Sequence, residues 1–329
     1  MTIIVKSLQR RQLVAAAGAA SAMAALPGSV LAQAYPAKSI RLIAVFSAGG
    51  TSDVIGRMMA QQLESALGKP VVVENRIGAN GVIGTDYVAK SPADGYTLLI
   101  APSGHAINNT FNPSIPYDPI KDFAYITLIG TVPMVVTVGP QLPINNLRDL
   151  IDMARQKPRG IVFGSGGPGS SNQLACELFA TMAGISMTHV PYKGDAPGIT
   201  DLLGGHIAFI FLNTPAALPL VTSGRARAIG ITSEKRLPLL PDVPAIGEVV
   251  PGYSAGSWHG IFAPAGTPRD VVTRLNGELV KILRSPEIQA KLTAMGVSVV
   301  ANTSEEFTEF TKGEVVKWAG VIKNANIKP

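Results

Sequence analysis

Two short stretches hold the residues best suited to chemistry. "SAGGTSD" at 47–53 and "GSGGPGSS" at 164–171 each place glycines and hydroxyls between an apolar run and a helix-like one; the first adds a carboxylate. Glycine lets the backbone turn sharply and come close to a ligand. A helix starting at such a loop presents unpaired N–H groups and the positive end of its dipole, which suits an anionic oxygen. Ser52 or Asp53 is placed to cap the first helix, and Ser170 or Ser171 the second. Caps alone would leave each stretch a plain turn. Two such loops in separate halves of the chain instead suit a ligand held from both sides. Neither is a phosphate-binding P-loop, because no Lys follows the glycines. Asp53 would repel an anion directly, so capping or holding a water is its expected task.

Other chemistry-bearing residues are weaker candidates. "GYSAG" at 252–256 matches the G-x-S-x-G expression, but that elbow needs a strand before it and a helix after it. Here Pro251 precedes and the strand-like "WHGIFAP" follows. His105, His189, His206 and His259 share no ligand spacing, so no metal is expected. His259, beside Trp258, is the histidine expected nearest a cleft. Tyr192 and Lys193 offer a phenol and an ammonium, or else a solvated loop. Asn213 and Thr214 stand at the carboxyl end of the apolar run "IAFIFL" and are candidate ligand contacts.

The elements that must position these residues alternate. "IRLIAVF" reads as a buried strand, and Ile55, Met58, Met59, Leu63 and Leu67 keep helical spacing after it. "PVVVEN", a Gly-rich turn and "YTLLIAP" complete a βαβαβ pattern, which favours a parallel sheet. Pro133 interrupts the long apolar run "YITLIGTVPMVVTVGP" and marks a bend or a crossing between lobes. Alternation resumes with a helix near 147–156, the strand "GIVFG" and a helix from about Ser171. A Pro/Gly-rich connector, a strand at 258–263 and three helical patterns close the chain.

Bulk properties narrow the function. Lys6, Arg10 and Arg11 precede an Ala-rich uncharged stretch ending in Ala32-Gln33-Ala34, the pattern of a cleaved export signal over 1–34, with a lean towards the twin-arginine route. The signal holds three of the 28 Lys+Arg and none of the 22 Asp+Glu, which leaves 25 against 22, a net +3. With no long basic run and sparse aromatics, nucleic-acid binding has little support. The single Cys176 excludes an internal disulfide and multi-Cys metal sites and reads as a buried thiol. The remaining length of about 295 residues suits two lobes rather than one core.

At the loops the sequence resembles the Bug-type periplasmic solute-binding receptors of the tripartite tricarboxylate transporter family. The matching pieces are "YPAKSIRLIAVFSAGGTSDVIGRMMA", "VVVENRIGANGVIGTDYVAKSPADGYTLL", "HVPYKGDAPGITDLLGGHI", "LPDVPAIGE" and "SWHGIFAPAGTPRDVVTRLN", in the expected order. The resemblance implies an α/β, two-lobed periplasmic binding protein of type II, a Venus flytrap in which each lobe is a mostly parallel sheet flanked by helices. Residues 35–135 and 258–329, with the C-terminal helices, would form lobe 1, and 136–257 lobe 2. It also implies a small carboxylate bound between the lobes, no cofactor, no catalysis, a monomer, and delivery to integral-membrane transporter subunits. A sensor kinase ectodomain is the alternative partner, and an exported α/β hydrolase the alternative class. Carried over, the ligand-binding residues would be Phe46, Ser47, Gly50, Thr51, Asp53, Ser165, Gly166, Ser170, Ser171 and Asn172, with Asn213 and Thr214 nearby. Gln173 stands where a His commonly follows the second loop, His259 where an aromatic is frequent, and Ser47-Ala48 where Pro is frequent. These departures bear on the ligand rather than the fold.

Overall fold

The computed structural model describes residues 35–324 and 327. Every described strand and helix belongs to the unit Lys38–Pro329. The expected export signal, 1–34, lies outside the described residues.

The β-branched run at the start forms β1 (Ile40–Ala44), buried along nearly its whole length. In α1 (Thr51–Leu67), Ile55, Met59, Leu63 and Leu67 recur at helical spacing and are buried. β2 (Val71–Asn75), α2 (Val82–Ala89), β3 (Thr97–Pro102) and α3 (Gly104–Phe111) continue the alternation. β4 (Phe123–Val132) then ends at Pro133, and β5 (Met134–Val138) begins in a different sheet. Proline has no N–H to extend a ladder. Its carbonyl instead accepts from both Thr214 N and Thr214 Oγ1, at 3.0 and 2.6 Å.

Beyond the crossing come α4 (Leu147–Gln156), whose first turn is capped by Asn146, and β6 (Val162–Ser165). After them stand α5 (Ser171–Ala183), β7 (Thr188–Pro191), α6 (Asp195–Gly204), β8 (Phe209–Asn213), α7 (Thr214–Thr222) and β9 (Arg227–Ile231). The chain returns as β10 (Ser257–Pro264), then α8 (Arg269–Leu283), α9 (Pro286–Ala294), β11 (Ser298–Val299) and α10 (Ser304–Asn324). The two passages between lobes are stitched to each other: Met134 N donates to Thr232 Oγ1 at 2.8 Å, and Ala255 N to Thr232 O at 3.0 Å.

The strand orders are β11-β4-β10-β3-β1-β2 and β7-β6-β8-β5-β9. Both sheets are mixed. Parallel pairing is confined to β2-β1-β3 in one and β7-β6-β8 in the other, with antiparallel partners beyond. In each sheet the strand that feeds a glycine loop is flanked by the next two parallel strands. That is a topological switch point, where ligands of open α/β sheets gather at strand carboxyl ends. The first core gathers Ile43, Leu99, Tyr125, Trp258, Phe262 and Phe307. The second, around Phe163, Phe179, Phe209 and Phe211, also takes Ile107 and Phe111 from α3 and Trp318 and Ile322 from α10.

Candidate functional site

The two glycine loops face a common cavity of about 480 Å³ between the lobes. They are built alike. In the first, Gly49 has φ +79° and its N–H donates to Asp53 Oδ2 at 3.0 Å. In the second, Gly169 has φ +73° and its N–H donates to Gln173 Oε1 at 2.8 Å. Both acceptors stand at the third position of the following helix and reach back four residues. A left-handed glycine lets each loop fold over its helix start, and the side-chain acceptor fixes it there.

This arrangement corrects the capping expectation. The N-cap residues are Gly50, which has no side chain to cap with, and Ser170, whose side chain accepts no bond from its helix. Ser170 Oγ donates backwards to Gly167 O at 2.6 Å. The N–H groups of Thr51 and Ser52 in α1 and of Ser171 and Asn172 in α5 are therefore left without a side-chain cap at the cavity wall, and with them the positive ends of both dipoles; only the third N–H of α5, that of Gln173, is taken, by Asn172 Oδ1.

α6 and α7 also begin at the cavity, through Gly194, Asp195 and Ala196, and through Asn213, Pro215 and Ala216. α7 contributes least, because Thr214 N–H is taken by Pro133 O and Pro215 carries no N–H. Four helix N-termini thus converge on one space. Among the described residues lining it there is no Lys or Arg.

Nine of the twelve expected ligand-binding residues line the cavity: Phe46, Ser47, Gly50, Thr51, Gly166, Ser170, Ser171, Asn172 and Asn213. Asp53, Ser165 and Thr214 do not, and each is committed elsewhere. Asp53 is 3% exposed; besides Gly49 it accepts from Arg57 Nε at 3.0 Å and Asn75 Nδ2 at 2.9 Å. Burial pushes its carboxyl up, but the bonds from Arg57, Gly49 and Asn75 outweigh this and hold it below the usual carboxylate range. Ser165 is buried, with Oγ 2.6 Å from His189 Nε2 and accepting from Gly167 N at 3.1 Å. Thr214 holds the Pro133 crossing. All three shape loops or crossings behind the wall.

Of the weaker candidates, His259 does line the cavity, with Nε2 3.0 Å from Ser52 Oγ. Full burial pulls its pKa down to about 4, so the ring is neutral at physiological pH. Tyr192 donates its phenol to Asp201 Oδ2 at 2.6 Å, and neither it nor Lys193 lines the cavity. Tyr253, within "GYSAG", is buried and donates to Ala175 O at 2.9 Å; the stretch runs into β10, so no nucleophile elbow forms. No cluster of metal-ligating side chains occurs among the described residues. Cys176 is fully buried, and burial pushes its thiol up.

The residues missed from sequence are those at the start of α6, Pro215 and Ala216 of α7, and Val54, Pro102, Ser257 and Met295. Asp195 matters most among them. Burial pushes its carboxyl up to about 6, against a bond from Asn172 that pulls it down. The signal available was Gly194, a loop glycine directly before a helix start, the same device as in the other two loops.

Known proteins resemble this chain along most of its length. A family model described as the tripartite tricarboxylate transporter family receptor, TctC, matches residues 55–327. Protein BugT of Bordetella pertussis is 38% identical over 320 residues, covering 96% of this chain and 98% of that protein. Among solved structures, R. palustris Rpa4515 with adipate superposes with a TM-score of 0.87 at 38% identity, covering 90% of this chain and 99% of that one. MatC from Rhodopseudomonas palustris with bound malate has a TM-score of 0.82 at 27% identity, covering 88% of this chain and all of that one.

Proposed function

Because this chain belongs to the tripartite tricarboxylate transporter receptor family, we propose that it captures a small mono- or dicarboxylate between its lobes and delivers it to the membrane subunits of such a transporter. The observation that carries the reading is the convergence of four helix N-termini on a cavity with no Lys or Arg in its lining. Backbone N–H groups and dipole ends, each worth about 0.3–1 kcal/mol, stabilise an anion without a counter-charge. The ligands named for two similar structures, adipate for Rpa4515 and malate for MatC, are both of this class.

The nine lining residues from the two loops and Asn213 are the proposed contacts, with Asp53, Ser165 and Thr214 holding them in place. The division into lobes, 35–135 with 258–329 against 136–257, belongs to the same proposal; the strand membership of the two sheets supports such a division, with the crossings at Pro133 and just before Ser257. So do export by residues 1–34, cleavage near Ala34, and action in the periplasm. Contacts from both lobes at once would favour the closed form, which the transporter then reads.

The test is a thermal-shift and calorimetric screen of three- to six-carbon mono- and dicarboxylates. A ligand at a hundred times its Kd should stabilise the protein by about 2.7 kcal/mol. No stabilisation by any of them would reject the ligand class.

A further inference from the structure

Asp195 sits awkwardly in a cavity built for anions. It is the one acidic side chain among the described residues lining that space, and no basic side chain there offsets it. Its Oδ1 accepts from Asn172 Nδ2 at 3.2 Å, and among the described residues Asn172 is its one hydrogen-bonding partner.

The direction of that bond is fixed by its surroundings. Asn172 Oδ1 accepts from both Gly166 N and Gln173 N at 3.1 Å, so the amide oxygen is committed and the amide nitrogen must point at Asp195. The second oxygen of Asp195 is left for whatever fills the cavity. Nearby, Asn213 Oδ1 is buried with no partner among the described residues, a further acceptor on the same lobe. The first lobe offers the opposite chemistry: the uncapped N–H groups at the start of α1.

Resting on the carboxylate reading, we propose that Asp195 sets specificity: the receptor prefers a carboxylate whose far end, facing the second lobe, carries a hydrogen-bond donor. The carboxylate lies against the start of α1, and the donor meets Asp195. A hydroxyl, an ammonium or an un-ionised carboxyl satisfies this; a fully ionised dicarboxylate places a second negative charge against the side chain. Burial already pushes the Asp195 carboxyl up to about 6, and a donor on the ligand relieves the same desolvation.

The experiment is calorimetry at pH 7.5 with three matched ligands at each chain length from four to six carbons: the dicarboxylate, the ω-hydroxy acid and the ω-amino acid. For the wild-type protein, at least one donor-bearing acid should bind about tenfold or more tighter than the dicarboxylate of equal length. Hydroxyl and ammonium arms identify which donor is used. Asp195→Asn keeps the shape and supplies an N–H, so it should shift the ratio about tenfold or more towards the dicarboxylate. Asp195→Ser, smaller and uncharged, should move it the same way, which guards against a folding defect in either variant. Ratios unchanged within twofold in both variants, or a wild-type preference for the dicarboxylate, would overturn the proposal alone. Failure of every ligand with every protein would overturn the carboxylate reading and this proposal with it.

Discussion

Phe307 and Trp318 are both fully buried on one helix, α10, yet they sit in different hydrophobic cores. Eleven residues make about three turns, so both project from nearly the same side, about 16 Å apart along the axis. Phe307 packs against Trp258, Tyr125 and Phe262 of the first lobe. Trp318 joins the second-lobe core with Phe179 and Phe211. Between them Glu314 Oε2 accepts from Trp258 Nε1 and Trp318 Nε1, each at 3.0 Å. One carboxylate oxygen therefore ties a strand of the first lobe to a helix that reaches into the second, and closing or opening the lobes must respect that tie.

Removing the tie tests it. Glu314→Ala leaves two buried indole N–H groups without their acceptor, and each orphaned donor costs about 1–3 kcal/mol. The variant should lose about 2–5 kcal/mol in urea unfolding. The chain's two tryptophans are the two residues involved, so their fluorescence should change as well. A loss under about 0.5 kcal/mol would show that the bridge is not a structural tie.

The glycines of the second loop separate two roles. A Cβ on Gly166 would meet Asp195 Oδ1 at 3.5 Å and Asn172 Oδ1 at 3.7 Å, ordinary contact distances. A Cβ on Gly169 would lie 2.6 Å from Phe111 Cδ1, at φ +73°. Gly166→Ala should fold normally but bind ligand more weakly, since the methyl enters the cavity. Gly169→Ala should lose about 2–5 kcal/mol from left-handed strain and displacement of the Phe111 ring. Melting curves with and without ligand distinguish the two, and equal stability losses would contradict the assignment.

What was legible in the sequence is what about twenty consecutive residues encode together. An apolar run, a glycine loop and a helix start read directly as β1 with α1 and as β6 with α5, and Pro133 reads directly as a break. Gly194 marked a helix start at α6, but that this start faces the same cavity was not legible, because it depends on β7 and β8 flanking β6, a long-range strand order. The role of Asp53 was only half legible. Its position suits a cap, and the choice between capping α1 and reaching back to Gly49 was decided by Arg57 and Asn75, which hold its oxygens. The double allegiance of α10 was hidden because periodicity marks an apolar face but not the core it meets.

Asp53 offers a prediction with a definite sign. Its folded pKa lies below the ordinary 3.8, so the stability it contributes is fully present above that value. It is lost as pH falls below 3.8 towards the folded pKa. Asp53→Asn should therefore be less stable than wild type at pH 7, with the gap closing in acid. It should also weaken ligand binding without touching ligand, because Gly49 loses its ionised acceptor. Acid unfolding followed by circular dichroism measures the first effect. A gap that stays constant from pH 7 to pH 2 would remove Asp53 as the anchor of the loop.

Histidines should dominate the milder acid range. Burial pulls His105, His189 and His259 from 6.5 down to about 4. A lowered histidine pKa means that the unfolded chain binds the proton first, so stability is full above pH 6.5 and declines as pH falls from there to about 4. For the fully buried His105 and His259 the complete effect is about 3 kcal/mol each. His105 packs among Tyr117, Phe123 and Phe262 and hydrogen-bonds Pro119 O through Nε2, an environment that accommodates a neutral ring. Phenylalanine fills that space and cannot titrate. His105→Phe should start lower at pH 7.5, for want of the Pro119 bond, yet lose less on acidification. Urea unfolding at half-unit steps from pH 7.5 to 4.5 gives both slopes. Equal slopes for the two proteins would mean that His105 takes up its proton in the folded state as readily as in the unfolded one, contrary to a ring sealed inside the first core.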